Sequence, residues 1–106
     1  MDDAELDQLD FGVIRMSPEA RVVGYNHYES RAAGLGKDRV LGRHFFTEVA
    51  PCTNNYLVSG RFDDAALDET LPYVFTLRMR PTPVKLRLLK QPGAPYQYVL
   101  VLRGGS

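Results

Sequence analysis

The chain of 106 residues contains a single cysteine, Cys52, so no intramolecular disulfide can staple it. It has only two histidines, His27 and His44, and with one thiol they show no metal-ligand spacing, so no metal is expected. No apolar run approaches the roughly 20 residues that span a bilayer, so no membrane partner is expected. The first ten residues are acidic and lack the basic-then-apolar layout of a signal peptide, which leads us to expect a cytoplasmic protein. Missing too are a Gly-x-Ser-x-Gly elbow, a phosphate-cradling glycine-rich loop and an obvious Cys-His-Asn arrangement. A pairing of Cys52 with His27 or His44 is compatible with the spacing, but nothing else supports it.

Acidic residues are missing from one whole stretch. Every Asp and Glu lies at or before Glu69, while Arg78, Arg80, Lys85, Arg87, Lys90 and Arg103 follow without an acid among them. Such a stretch could face an anion or a nucleic acid. The pairs Arg78/Arg80 and Lys85/Arg87 stand at period two, however, as the solvated face of strands does, so no nucleic-acid partner is expected.

What is present suits one soluble domain, taken as residues 1–103, with 104–106 as a flexible tail. Residues 2–9 read as a short acidic helical lead-in. Two strands follow, 11–16 and 21–26, joined by the turn Ser17-Pro18-Glu19-Ala20 into a hairpin. From His27 to about Asp68 short helical pieces are broken by Gly34, Gly36, Gly42 and Pro51. The longest helix candidate runs from Asn55 to about Leu67, with Thr53 or Asn54 as its cap. The last third alternates with period two through 73–80, 84–88 and 96–102. Strand-strand, short helices and three strands are satisfied by an α+β fold, a five-stranded antiparallel sheet with the helices on one side.

Cys52 follows a proline and precedes the helix candidate, where backbone N–H groups and the helix dipole would lower a thiol's pKa and make it an acyl acceptor or nucleophile. By composition alone, a lone cysteine is more often a small buried hydrophobe. Tyr25 and Glu29, four apart across a strand-to-helix junction, could bring a phenol and a carboxyl to one buried point and hold an anion there. A carboxyl kept in an apolar pocket could also stay protonated and donate. Phe45, Phe62, Phe75, Leu77 and Met79 are core residues that could line such a pocket. His27, Tyr28 and His44 are taken as surface or cap residues.

The runs Leu9-x-Phe11-Gly12-x-Ile14, Tyr25-Asn26-x-x-Glu29, Val40-x-Gly42-x-x-Phe45-Phe46, Val49-Ala50-Pro51-Cys52-Thr53, Gly60-x-Phe62 and Met79-x-Pro81-Thr82-x-Val84-Lys85 cover nearly the whole chain. Together they resemble the photoactive yellow proteins (xanthopsins), a branch of the PAS superfamily. The resemblance implies a PAS-type fold and a blue-light sensor that carries p-coumaric acid as a thioester. It makes Cys52 the attachment residue, and Tyr25 and Glu29 the pair that hydrogen-bonds the buried phenolate. Phe45, Phe62, Phe75 and Met79 fall on family pocket positions, with Met79 matching a methionine implicated in thermal recovery.

The sequence departs from the family at several places. Ala33 stands for a threonine that buttresses the Tyr–Glu pair, and Leu35 for an arginine that lids the chromophore. Leu77 replaces an aromatic wall residue, Tyr28 a small one, and the loop between Phe62 and Tyr73 is shortened by several residues. The cap that extends the family prototype has no counterpart, so the chain is expected to begin with the PAS core. An edited pocket leaves two alternatives open. One is a small enzyme using Glu29, Tyr25 and Cys52 on an ester, thioester or heterocycle such as an oxazoline. The other is a non-covalent ligand-binding or dimerising module that pairs through the exposed sheet face.

Overall fold

The alternating residues of the first fifth of the chain build an antiparallel hairpin. The strands are β1 (Gly12–Met16) and β2 (Val22–Tyr25), and Ile14 lies opposite Tyr25. The turn between them is closed by Ala20 N–H donating to Ser17 O at 2.9 Å, and it holds Ala20 at φ 65°. The computed structural model describes residues 3–34, 36–77 and 80–103, with the side chains at 3, 75–77 and 80 outside that description. Met79, Leu35 and the tail 104–106 therefore lie outside the described residues, as do the side chains of Phe75 and Leu77.

A short helix, α1 (Asp3–Asp7), precedes the hairpin, and α2 (His27–Ala33) and α3 (Lys37–Val40) follow it. Next come a π-type turn over Phe45–Val49 and 3-10 turns over Pro51–Thr53 and Ser59–Asp63. Three long strands, β3 (Leu67–Leu77), β4 (Arg80–Lys90) and β5 (Gln97–Leu102), complete a five-stranded sheet of order β2-β1-β5-β4-β3. Every pairing is antiparallel. The expected α+β architecture is the one observed.

Period-two alternation places the core. Val84, Leu86 and Leu88 of β4 and Val99 and Val101 of β5 are buried, while Lys85 and Arg87 are exposed. The segment 40–62 lays Val40, Phe45, Phe46, Val49, Ala50, Val58 and Phe62 onto that face.

Prolines within strands follow a rule of parity. In the β3–β4 register Pro72 lies opposite Lys85, Val74 opposite Pro83 and Thr76 opposite Pro81. A proline cannot donate to a ladder, so these pairs must be the non-hydrogen-bonded ones. Pro72 sits on the outer strand of the sheet, and Pro81 and Pro83 lie beyond the last residue of β4 that β5 pairs.

The helix expected from Asn55 to Leu67 does not form. Asn55 Oδ1 accepts from the backbone N–H groups of Leu57 at 2.9 Å and Val58 at 3.3 Å, which folds the chain into a side-chain-closed turn. Thr53 does not cap a helix either, because its hydroxyl donates back to Ala50 O at 2.7 Å. Strand β3 then begins at Leu67, earlier than the alternation at 73–80 indicated. No helix among the described residues is long and apolar enough to cross a membrane.

Candidate functional site

The polar end of the site is built on Asn26. Its side chain, 1% exposed, has two donor hydrogens and an oxygen with two lone pairs, and all four are used. Oδ1 accepts from Val13 N at 2.9 Å and from Glu29 N at 3.1 Å, while Nδ2 donates to Leu6 O at 3.0 Å and Phe11 O at 2.8 Å. One residue thus caps α2, pins β1 and anchors α1. Helix α2 ends at Gly34, whose φ of 72° is the left-handed conformation glycine adopts freely.

In this short helix Glu29 faces inward and is 1% exposed. Its carboxyl packs against β1 at Gly12, where a Cβ would overlap Glu29 Oε1. Arg103 reaches it from just past β5: Nη1 donates to Oε1 at 2.5 Å and Nη2 to Oε2 at 3.0 Å. Burial pushes the Glu29 carboxyl above the ordinary carboxylate range, and the bonds and charge of Arg103 pull it only part of the way back, so the net shift is upward. Tyr25, 3% exposed, has its phenol raised above the usual value, first by burial and then by the charge of Glu29. For Arg103, burial is the largest single influence and works against the charge, but the hydrogen bonds and charge of Glu29, with Tyr28 and Tyr25, together outweigh it and the net shift is upward.

The sulfur end is a single turn. Pro51–Thr53 forms one 3-10 turn with Pro51 at its start, and Cys52 is half-buried against the main core. Because no helix follows, the helix-dipole argument for this thiol falls away. The turn is held instead through the Cys52 carbonyl, which accepts from the Tyr73 hydroxyl of β3 and from Asn55 Nδ2 at 3.2 Å. Asn55 Nδ2 also donates to Tyr73 Oη at 2.7 Å, closing the triangle.

The same core holds an aromatic row. Phe45 meets Phe46 edge-on with ring centroids 5.2 Å apart, and Phe46 meets Phe62 at 5.8 Å. The π-type turn, with Ala50 N donating to Phe45 O at 2.8 Å, buries both adjacent phenylalanines.

The structure therefore places Tyr25, Phe45 and Phe62 in one core cluster with Cys52 packed against it, and buries Glu29 on α2, four residues after Tyr25. Phe75 lies opposite Thr82 in the β3–β4 register, its side chain outside the described residues, as is Met79. Ala33 is buried and Tyr28 half-buried on α2. The chemistry of these residues, a half-buried thiol, buried aromatic rings, and a buried phenol and carboxyl, suits an aromatic acyl group. No group of His, Cys, Asp and Glu among the described residues could hold a metal ion.

Four participants were missed. Asn26 is legible as the first residue of an Asn-x-x-Glu capping pattern. Arg103 lies 74 residues from Glu29, yet it stands in phase with the buried row Gln97, Val99 and Val101. Tyr73 and Asn55 carry no local signal, since their meeting depends on β3 crossing the Cys52 turn.

No protein-family profile matches the chain. The chain is similar to the photoactive yellow protein of Halochromatium salexigens, 37% identical over 94 residues, covering 85% of this chain and 75% of that one. Among solved structures it is similar to the photoactive yellow protein domain of the sensor histidine kinase Ppr from Rhodospirillum centenum. The TM-score there is 0.86 at 39% identity, over 95% of this chain and 92% of that one. The PAS domain of Bordetella pertussis BvgS shares the fold at 14% identity, with a TM-score of 0.67 over 94% and 79% of the two chains.

Proposed function

The chain belongs to the photoactive yellow protein family, and on that premise we propose that it is a blue-light sensor domain carrying p-coumaric acid as a thioester on Cys52. The observation that carries the reading is the shared core of the half-buried Cys52 and the buried Tyr25, with the Glu29 carboxyl beside it. The Cys52 sulfur, losing its proton, would attack the carbonyl of an activated coumaroyl donor. The C–S bond would form as the donor's leaving group departs with the electron pair and takes up the proton. Phe45 and Phe62 would wall the ring from water, and Tyr25 and Glu29 would hold its phenolic end. When bound, the group supplies light absorption. The fixed Cys52 carbonyl keeps the attachment turn from moving with it.

The test is an intact mass and an absorption spectrum of the protein made with p-coumaroyl anhydride, beside Cys52→Ser. The wild type should gain one coumaroyl mass and a photoreversible visible band, and the variant neither. A wild-type chain that stays unmodified and colourless refutes the reading. Nothing among the relatives supports the alternative of a hydrolase on this pocket, and it is not proposed.

A further inference from the structure

The turn that carries the thiol has little of its own to seat it. Pro51–Thr53 is a single 3-10 turn, and so short a piece of helix is not stable by itself. Ala50 at φ −133°, ψ 71° and Asn54 at φ −83°, ψ 71° both leave the helical region, so no longer helix stiffens it. Its ends are tied locally. Thr53 N–H and hydroxyl donate to Ala50 O at 2.9 Å and 2.7 Å, and Asn55 N donates to Thr53 O at 2.9 Å. Those ties fix the shape of the turn, not its seating against the sheet.

We propose that Tyr73 and Asn55 form a latch on this turn: by gripping the Cys52 carbonyl they keep the sulfur half-buried against the core, and so govern how readily an acyl donor or a nucleophile reaches it. Both are positioning residues, acting through the backbone of Cys52. That the latch guards a thioester rests on the light-sensor reading, whereas its cover of the free thiol stands on the geometry alone.

Each half of the latch has its own foundation. Tyr73 stands on β3 opposite the buried Val84 and packs against the core, which brings its hydroxyl to the Cys52 carbonyl from the sheet side. Asn55 is fixed by bonds that do not involve Cys52. Its Oδ1 accepts from Leu57 N at 2.9 Å and Val58 N at 3.3 Å, and its carbonyl accepts from Gly60 N at 3.0 Å and Ser59 Oγ at 2.8 Å. Val58, fully buried, roots that loop in the core. From there Asn55 Nδ2 donates to Cys52 O at 3.2 Å and to Tyr73 Oη at 2.7 Å, joining the two halves. A carbonyl oxygen has two lone pairs, and here each meets a donor. Both donors stay in place whether or not the turn is seated. Lifting the turn therefore breaks the contacts at the Cys52 carbonyl and uncovers the sulfur without unfolding β3 or the loop 55–60.

The first test needs no ligand, and the single cysteine makes it specific. Alkylation of the folded chain by iodoacetamide is followed by intact mass and divided by the rate for the same chain unfolded in urea. Tyr73→Phe removes one donor and keeps the ring. Asn55→Ser keeps an acceptor for the N–H groups at 57 and 58 but is too short to reach the Cys52 carbonyl. Each should raise the rate about 2–10-fold, the net contribution of one hydrogen bond expressed as a ratio, and the double variant should exceed both. The ratio to wild type should hold from about pH 7 to about pH 9, because a latch alters access rather than ionisation. Low urea should leave the rates nearly unchanged, as for a local opening. A double variant that reacts at the wild-type rate overturns the proposal. So does a rate that follows the full urea slope of unfolding, since the thiol is then reached only by global unfolding.

The second test loads the proteins with p-coumaroyl anhydride and follows loss of the coumaroyl mass in hydroxylamine in the dark. The amine nitrogen attacks the thioester carbonyl, the C–N bond forms as the C–S bond breaks, and the sulfur leaves as a thiolate while the nitrogen's proton passes to water. The double variant should lose the group faster than the wild type by the factor found for alkylation, and an equal rate overturns the guarding role. If the wild type takes up no coumaroyl group, the light-sensor reading fails by mass, while the alkylation rates still decide the latch.

Discussion

Replacing Asn26 tests the structural basis of the site most directly. In Asn26→Ala the buried Val13 N–H loses its acceptor, at about 1–3 kcal/mol, and α2 loses its cap, at about 1 kcal/mol. The carbonyls of Leu6 and Phe11 lose a donor each, at about 0.5–1.5 kcal/mol apiece. Together these predict a loss of about 3–7 kcal/mol, from a domain whose whole stability is about 5–15 kcal/mol. With a urea m-value of about 2 kcal/mol per molar, the unfolding midpoint should fall by roughly 1.5–3.5 M with its slope unchanged. Asn26→Asp is the sharper probe. It keeps both acceptor contacts yet turns an oxygen toward two carbonyls and buries a charge, so it should cost at least as much as alanine. Asn26→Ser, which can still cap but cannot reach Leu6 or Phe11, should fall between the wild type and alanine. A midpoint shift below roughly 0.5 M for alanine, or wild-type stability for aspartate, would refute the four-bond account.

Two further predictions follow from local geometry. In Gly12→Ala the new methyl would overlap Glu29 Oε1 and lie 3.2 Å from Val101 Cβ, so we expect a loss of about 1–3 kcal/mol with a displaced Glu29 carboxyl. Calorimetry giving an unchanged Tm would contradict this. Asp7 accepts from Lys37 Nζ at 3.0 Å and from His27 N at 2.6 Å, and its carboxyl is held below the ordinary value, chiefly by the Lys37 bond. A depressed folded pKa gives stability that is present above the unfolded value and lost as pH falls through the folded one. Urea midpoints of the wild type and Asp7→Asn should therefore differ at pH 7, by under about 1 kcal/mol because the pair is exposed, and converge well below pH ~4. A difference that persists in acid would exclude this carboxyl as its source.

Strands were legible in the sequence wherever one face is wet. Val84, Leu86 and Leu88 against Lys85 and Arg87 announce β4 without help from distant residues. The stretch from Asn55 to Leu67 misled because its apolar spacing also suits a helix, while a single carboxamide, that of Asn55, takes the N–H groups a first helical turn would leave open. At the site, the local pattern singled out Tyr25, Glu29 and Cys52. It could not reveal that the turn holding Cys52 is tied by Tyr73, nor that Glu29 has a cation for company. Arg103 belongs to a run of late basic residues of which Lys85 and Arg87 face water, and only the phase of β5 separates it from them.

The parity of the strand prolines bears on how this molecule behaves in a crowded solution. Beyond Lys85, the last β4 residue that β5 pairs among the described residues, Pro81 and Pro83 have no N–H to offer. The outer margin of β3 is interrupted in the same way at Pro72. An incoming chain seeking to extend the sheet would find acceptors without donors at alternate positions, so it could not zip into register. Pro72 thus acts as a built-in stopper against sheet extension at the outer margin of β3.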